Sequence, residues 1–137
     1  MNATTGITYK LINTRNELEN FVGTIENEKA VGVDLEADSM YHFKEKVCLI
    51  QMAATNTNVV IDPLVIKDLS LLKPIFKRGD ICKIFHGADY DVRSLYRDFR
   101  ITIHNLFDTE LASRFLGVTE TGLEAVLKKK FAVTLDK

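Results

Sequence analysis

Three acidic residues in two short segments are the residues of this sequence that are best suited to chemistry. Asp34 and Glu36 lie in AVGVDLEADS, and Asp91 lies in KIFHGADYDVRSL. Residues 30–35 have the composition of a short buried strand, in which side chains two apart point to the same face. Two carboxylates aimed the same way repel each other, but divalent cations relieve that repulsion because hard cations take oxygen ligands. The pattern therefore indicates a metal site of the kind that serves phosphate chemistry.

The wider sequence is more specific than the Asp-x-Glu spacing, which is also typical of a polar turn. The stretch VGVDLEADSMYHFKEKVCLIQMA, the later CKIFHGADYDVRSLYRDF and the following LFDTELASRFLG resemble the 3′–5′ exonuclease domain of the ribonuclease D family. That family belongs to the proofreading-type (DEDD) exonucleases, so the resemblance implies a ribonuclease H-like fold. It extends from about residue 9 to residue 137.

The resemblance implies roles for individual residues. Asp34 and Glu36 match the first motif of the family, Asp-x-Glu. Asp91 matches the second motif, an aspartate five residues after the histidine of a His-Gly-Ala run, here His86. Asp108 matches a Phe-Asp-Thr sequence that begins a helix, which implies a capping role rather than a metal ligand. The third motif, Tyr-x-x-x-Asp on a late helix, does not occur in the sequence.

The chemistry implied by the resemblance depends on two Mg²⁺ or Mn²⁺ ions about 4 Å apart, bridged by carboxylates and the scissile phosphate. We expect hydrolysis of single-stranded nucleic acid from the 3′ end to nucleoside 5′-monophosphates, with RNA favoured over DNA. In the family, the late tyrosine orients the attacking water and the late aspartate completes the metal shell. We therefore expect the 137-residue chain to be weak or inactive by itself.

Two explanations of the missing motif stay open. The chain is either a fragment whose next helix carries the motif, which we favour, or a naturally short relative that has lost activity. In the second case it would be a binding module that holds nucleic acid or a protein without cleavage. Intact clustered acids argue against that class, since a pure binder gains nothing from clustered like charge. A small phosphohydrolase is a third class, but no Gly-rich phosphate loop is visible.

Several other residues have two interpretations. Asp89 competes with Asp91, because the helical pattern favours Asp89 as the N-cap of the helix that follows. His86 is either a structural hydrogen-bonding residue, which we favour, or a contact to substrate. His42 either stacks on a base or sugar or packs beneath its loop. Gln51 lies on a buried strand and should be hydrogen-bonded internally.

The hydrophobic pattern predicts an α/β fold, with a three-strand antiparallel meander followed by alternating strands and helices. Capping boxes are predicted at Thr14 and at Thr121. The predicted strands cover residues 30–35, 47–54, 58–62, 81–85 and 101–104, with a hairpin turn at residues 56–58. Helices are predicted after residue 14, from about residue 70 with a boundary or kink near Pro74, around residues 89–99, at residues 109–116 and through residue 130.

Composition is that of an ordinary globular protein, with 46% hydrophobic residues, 27% charged residues and a net charge of −1. At 137 residues, the chain should form a single domain, one that buries about two-thirds of its unfolded surface. Near-neutral charge argues against a duplex-binding protein without enzymatic activity. Cys48 and Cys82 are expected as small apolar strand residues, not as a disulfide framework. With no signal-peptide core or membrane-length apolar run, we expect a cytoplasmic protein.

Overall fold

The protein forms one six-stranded mixed sheet with helices packed against it. The computed structural model describes residues 7–38 and 44–135. The strands are β1 (Lys10–Ile12), β2 (Ala30–Asp38), β3 (Lys46–Ala54), β4 (Thr57–Ile61), β5 (Cys82–Phe85) and β6 (Leu106–Asp108). The helices are α1 (Arg15–Ile25), α2 (Pro63–Ile66), α3 (Lys73–Lys77), α4 (Ala88–Phe99), α5 (Thr109–Phe115) and α6 (Leu123–Phe131), with a 3₁₀ turn at Ser70–Leu72.

The sheet order is β1-β4-β3-β2-β5-β6. Strands β2, β3 and β4 pair antiparallel as the predicted meander. Strand β5 pairs parallel with β2, β6 pairs parallel with β5, and β1 pairs parallel with β4. The predicted mixed α/β sheet is thus confirmed. Within the residues described, no helix has the length and apolar character needed to cross a membrane.

One face of the sheet carries the hydrophobic core. Val31, Val33 and Leu35 on β2 alternate inward and are buried, whereas the residues between them point to the opposite face. Phe76 and Leu95 belong to the same buried cluster and bring α3 and α4 onto this face. Alternation along the strands therefore leaves Asp34 and Glu36 on the side away from the core.

Helix α1 begins as predicted. The Thr14 hydroxyl accepts a hydrogen bond from the Glu17 backbone N–H at 3.2 Å, and the Glu17 carboxylate accepts one from the Thr14 N–H at 3.2 Å. This reciprocal capping box satisfies donors that a helix N-terminus otherwise leaves unpaired. The boundary expected near Pro74 is also present, because the 3₁₀ turn ends at Leu72 and Pro74 lies in the first turn of α3, where its missing N–H is tolerated.

A buried lysine ties β5 to the segment before it. Lys83 is 0% exposed, and its ammonium donates hydrogen bonds to the carbonyl oxygens of Arg78 and Ile81 at 2.6 Å and to that of Ile75 at 3.4 Å. Burial lowers the pKa of Lys83. The apolar stem of the side chain lies in the core while three carbonyl oxygens solvate its charged end.

Some sequence predictions of local structure were wrong. The strand predicted at residues 101–104 is irregular chain, and the edge strand forms instead at Leu106–Asp108. Helix α6 has Gly122 as its N-cap, because the Thr121 hydroxyl donates to the Glu110 carboxylate at 2.7 Å instead of capping the helix. Gln51 is exposed rather than internal.

Smaller differences concern turns and the first strand. The meander turns at Thr55-Asn56, with Ala54 and Thr57 paired, one residue earlier than predicted. The short β1 was not predicted. Cys48 and Cys82 lie on strands as expected, but both are only partly buried.

Candidate active site

The first two candidate acids lie side by side on the exposed face of β2. Asp34 is paired in register with Gln51 on β3, and Glu36 is paired with Leu49. Both carboxylates are exposed. The β2–β3 register shifts immediately after Glu36, as in a β-bulge. Bulges are common beside active sites, where they redirect side chains.

The third candidate acid lies in the first turn of α4. Asp91 is only 7% exposed, although it carries an ionisable carboxyl. Burial, together with the nearby carboxylates of Asp34 and then Asp108, raises the pKa of Asp91 to about 6. The structure therefore brings Asp91 within electrostatic reach of Asp34. Asp34 and Glu36 lie within β2, which continues to Asp38, and not at the strand end that the sequence predicted.

Glu36 does not complete a three-acid cluster with them. Across residues 7–38 and 44–135, no three His, Cys, Asp or Glu side chains form a group able to hold a metal ion. The pair Asp34 and Asp91 is thus the centre of the candidate site, and the roles of Asp34, Glu36 and Asp91 as metal ligands all stay predictions. His42 lies outside the described residues, and so does its predicted contact with substrate.

The start of α4 differs from the sequence prediction. Its N-cap is Gly87, in the left-handed conformation with φ 76°, not Asp89. The Asp89 carboxylate instead pairs with Arg93 at 2.8 Å on the exposed side of the helix. The Asp108 carboxylate accepts hydrogen bonds from the backbone N–H groups of Gly87 at 2.9 Å and Ala88 at 2.8 Å. A distant side chain therefore takes the place of the expected local cap.

Asp108 also caps its own helix, as the Phe-Asp-Thr resemblance implied. It is the N-cap of α5 and accepts from the N–H groups of Glu110 and Leu111. Its second role, at the start of α4, was missed in the sequence analysis. The parallel pairing of Phe85 with Asp108 produces it, and a pairing between residues more than twenty apart leaves no local pattern in the sequence.

Both ring nitrogens of His86 are engaged within the fold. Nδ1 lies 2.8 Å from the Thr109 hydroxyl oxygen, and Nε2 donates to the Thr121 carbonyl oxygen at 2.7 Å. Nε2 must be the donor, because a carbonyl oxygen only accepts. His86 therefore connects the end of β5 to the segments that begin α5 and precede α6. Its contact with substrate stays a prediction.

A groove of about 1040 Å³ extends from Asp34 across the face of the sheet opposite the core. Its walls include Tyr9 and Leu11, which are 68% and 47% exposed. Gln51 and His86 provide polar groups to the same groove. A mixed apolar and polar surface beside acidic residues suits a ligand with flat apolar groups and a charged end.

Comparisons with known proteins show which family the chain belongs to. The exosome complex exonuclease RRP6 of Saccharomyces cerevisiae is 34% identical over 122 residues, which cover 88% of this chain and 16% of that protein. The catalytic core of RRP6 from Trypanosoma brucei has a TM-score of 0.92 and 32% identity, covering 98% of this chain and 38% of that one. RNase D of Escherichia coli, described as an exoribonuclease involved in structured RNA processing, has a TM-score of 0.88 and 27% identity, covering 96% and 35%.

The chain spans between 13% and 21% of the lengths of curated relatives from plants, animals and yeast. The model of one protein family, described as 3′–5′ exonuclease, matches residues 9–137. The ribonuclease D resemblance and the ribonuclease H-like sheet expected from it are both confirmed. This chain belongs to the 3′–5′ exonuclease family, as a member of the RRP6 and RNase D type.

Proposed function

We propose that this chain is a metal-dependent 3′–5′ exoribonuclease domain that acts on single-stranded RNA ends. One observation carries the proposal: Asp91, buried in the first turn of α4, lies close enough to Asp34 for the charge of Asp34 to disfavour ionisation of Asp91. Two carboxylates in mutual repulsion are a donor set that a divalent cation would relieve, since Mg²⁺ and Mn²⁺ take carboxylate oxygens. The donor set therefore fits the metal ions that the family implies.

In this mechanism, Asp34 and Asp91 would hold the metal, with Glu36 as a further oxygen ligand from the same strand. When bound, the ions supply an activated water near neutral pH and stabilise the departing 3′ oxygen. The protein's own part is to hold these oxygens where β2 meets the start of α4, next to the groove. The groove walls bind the terminal nucleotides, so that the last phosphodiester lies at the acids.

The same proposal includes a low activity for the 137-residue chain alone. Its sequence contains no Tyr-x-x-x-Asp, and no cluster of three ligands forms among the residues described. Misplacement of a reacting group by about 1 Å can lower a rate about a hundredfold. An incomplete site with a misplaced water should accordingly release nucleotides slowly.

The proposal is tested by incubating the chain with uniformly labelled single-stranded RNA and Mn²⁺ and following nucleoside monophosphate release. Asp34→Asn and Asp91→Asn should abolish the release. Asp89→Asn is the matched control, because Asp89 is an exposed acid in the same helical turn as Asp91. Release that survives both site substitutions would refute the proposal.

A binding module is the second candidate, and the lack of a three-ligand cluster among the described residues favours it. An experiment with the same RNA distinguishes the binding module from the exonuclease domain. An inert binder would retain the RNA in a gel-shift experiment without Mn²⁺ and would release no monophosphate when Mn²⁺ is added.

A further inference from the structure

The carboxylate of Asp108 joins the beginnings of two helices. One oxygen, Oδ1, accepts hydrogen bonds from the N–H groups of Gly87 at 2.9 Å, Glu110 at 2.9 Å and Leu111 at 3.2 Å. The other oxygen, Oδ2, accepts from the N–H of Ala88 at 2.8 Å. Capping of α5 accounts for two of these donors. The other two belong to α4, whose first residue is twenty positions earlier in the chain.

Helix α4 depends on this distant carboxylate for its N-terminus. Its N-cap, Gly87, has no side chain with which to accept a hydrogen bond, and it adopts the left-handed conformation that turns the chain sharply out of β5. Free N–H groups at a helix start carry partial positive charge, so a carboxylate there is stabilising. Asp108 supplies that carboxylate because β6 pairs with β5 and places it directly beside Phe85.

Asp108 is ionised in the folded protein. Burial raises its pKa, but hydrogen bonds from the N–H groups of Ala88, Gly87, Leu111 and Glu110 together outweigh burial and leave the pKa below its ordinary value. A charged carboxylate with four hydrogen bonds is a rigid anchor, because moving it would leave the backbone N–H groups at the start of two helices without their acceptor.

We infer that Asp108 is a positioning residue of the candidate active site: it fixes the first turn of α4, and thereby holds Asp91 beside Asp34. This inference rests on the proposed function, since its consequence is the placement of a metal-binding carboxylate. Residues that orient metal ligands in this way typically change metal affinity by ten- to a hundredfold when they are replaced.

The test uses Asp108→Ser as the main variant. Serine is a good N-cap for its own helix, so α5 should keep its start, but the shorter hydroxyl cannot also reach the N–H groups of Gly87 and Ala88. Asp108→Asn is the second variant. It loses the hydrogen bond from Ala88, because its amide nitrogen does not accept, and it also loses the carboxylate charge that acts on Asp91. Asp62→Asn is the matched control. Asp62 caps α2 through the backbone N–H groups of Leu64 and Val65, and α2 carries none of the candidate acids.

Two quantities are measured for each variant: Mn²⁺ affinity by electron paramagnetic resonance, and amide hydrogen exchange of metal-free protein by NMR. We expect Asp108→Ser to weaken Mn²⁺ binding about tenfold and to accelerate exchange at Gly87 and Ala88, with Asp108→Asn intermediate. Asp62→Asn should change neither quantity.

The outcomes separate the inference from the proposed function. If Asp34→Asn abolishes Mn²⁺ binding while both Asp108 variants bind Mn²⁺ like the unsubstituted chain, Asp108 is only a helix cap and the inference is wrong. If Asp34→Asn leaves Mn²⁺ binding unchanged, the proposed metal site is wrong. Hydrogen exchange in the metal-free protein still tests whether Asp108 fixes the first turn of α4. Unchanged exchange at Gly87 and Ala88 in Asp108→Ser would show that Asp108 does not hold α4.

Discussion

Replacing Asp91 by asparagine should make the metal-free protein more stable at neutral pH. The pKa of Asp91 rises from 3.8 to about 6 on folding, first through burial and then through the charges of Asp34 and Asp108. Each unit of pKa difference between folded and unfolded chain corresponds to about 1.4 kcal/mol. Ionised Asp91 therefore lowers the free energy of unfolding by at most about 3 kcal/mol, a cost that asparagine does not carry.

The direction of the pH dependence follows from proton binding. Below pH 3.8, both the folded and the unfolded chain hold the Asp91 proton, and the carboxyl has no cost. Between pH 3.8 and about 6 the unfolded chain releases the proton while the folded chain keeps it. The free energy of unfolding therefore falls as the pH rises through this window. Above pH 6 the full cost is present, so the gain from Asp91→Asn should be large at pH 7.5 and less than about 1 kcal/mol at pH 4.

Urea unfolding at pH 4 and pH 7.5, without metal, measures this difference. Asp89→Asn is the control, because its side chain is 87% exposed and it loses only an ion pair with Arg93, which is worth about 0.5 kcal/mol or less. The reasoning would be refuted by an Asp91→Asn protein that is less stable than the unsubstituted chain at pH 7.5, or whose gain is the same at both pH values. Adding Mg²⁺ should then stabilise the unsubstituted chain but not the variant.

Three further predictions concern individual side chains. Lys83→Met should lower the free energy of unfolding by about 2 kcal/mol, because three buried carbonyl oxygens lose their donor; a urea midpoint equal to or above that of the unsubstituted chain would contradict this. Gly87→Ala should lower the free energy of unfolding by about 1–2 kcal/mol, since alanine is strained at φ 76°. Gly122→Ala, at φ −60°, should change the free energy of unfolding little, and equal losses in the two variants would exclude backbone strain as the cause. Asp34→Asn should reduce Mn²⁺ affinity far more than stability, and a loss of several degrees in melting temperature without metal would show that Asp34 is structural.

Local patterns predicted local structure well, and failed where distant partners compete. The Thr14 capping box and the β-meander depend on neighbours in sequence or on a simple alternation, and both are present. The segment at residues 101–104 has strand-like composition, but Arg100 and Asn105 on either side adopt left-handed conformations and the N–H of His104 donates to the Phe76 carbonyl oxygen. The chain therefore reaches the edge of β5 only after residue 105.

The same contrast holds at the candidate site. The sequence proposed Asp34 and Asp91 as partners, and the parallel pairing of β2 with β5 brings them within electrostatic reach, although Asp34 lies within β2 and not at its end. It misassigned the cap of α4 to Asp89, because Asp108 supplies that cap through pairing of β6 with β5. Single-sequence patterns carry no information about which distant carboxylate a helix start will meet. The metal-ligand roles of Asp34, Glu36 and Asp91 are still predictions.

The acids of this site differ in how their charge is satisfied, and the difference explains the expected response to metal. Asp108 is satisfied by four backbone N–H groups, so it stays ionised and does not compete for a cation. Its fixed charge, together with that of Asp34, faces Asp91, whose carboxyl is buried and whose pKa is raised. In the proposed metal site, Asp91 would therefore gain most from a divalent cation, because the cation's charge would offset the cost of burying the carboxylate and its repulsion by the neighbouring acids. The repulsion present without metal is the reason that we expect a bound cation to stabilise the folded chain.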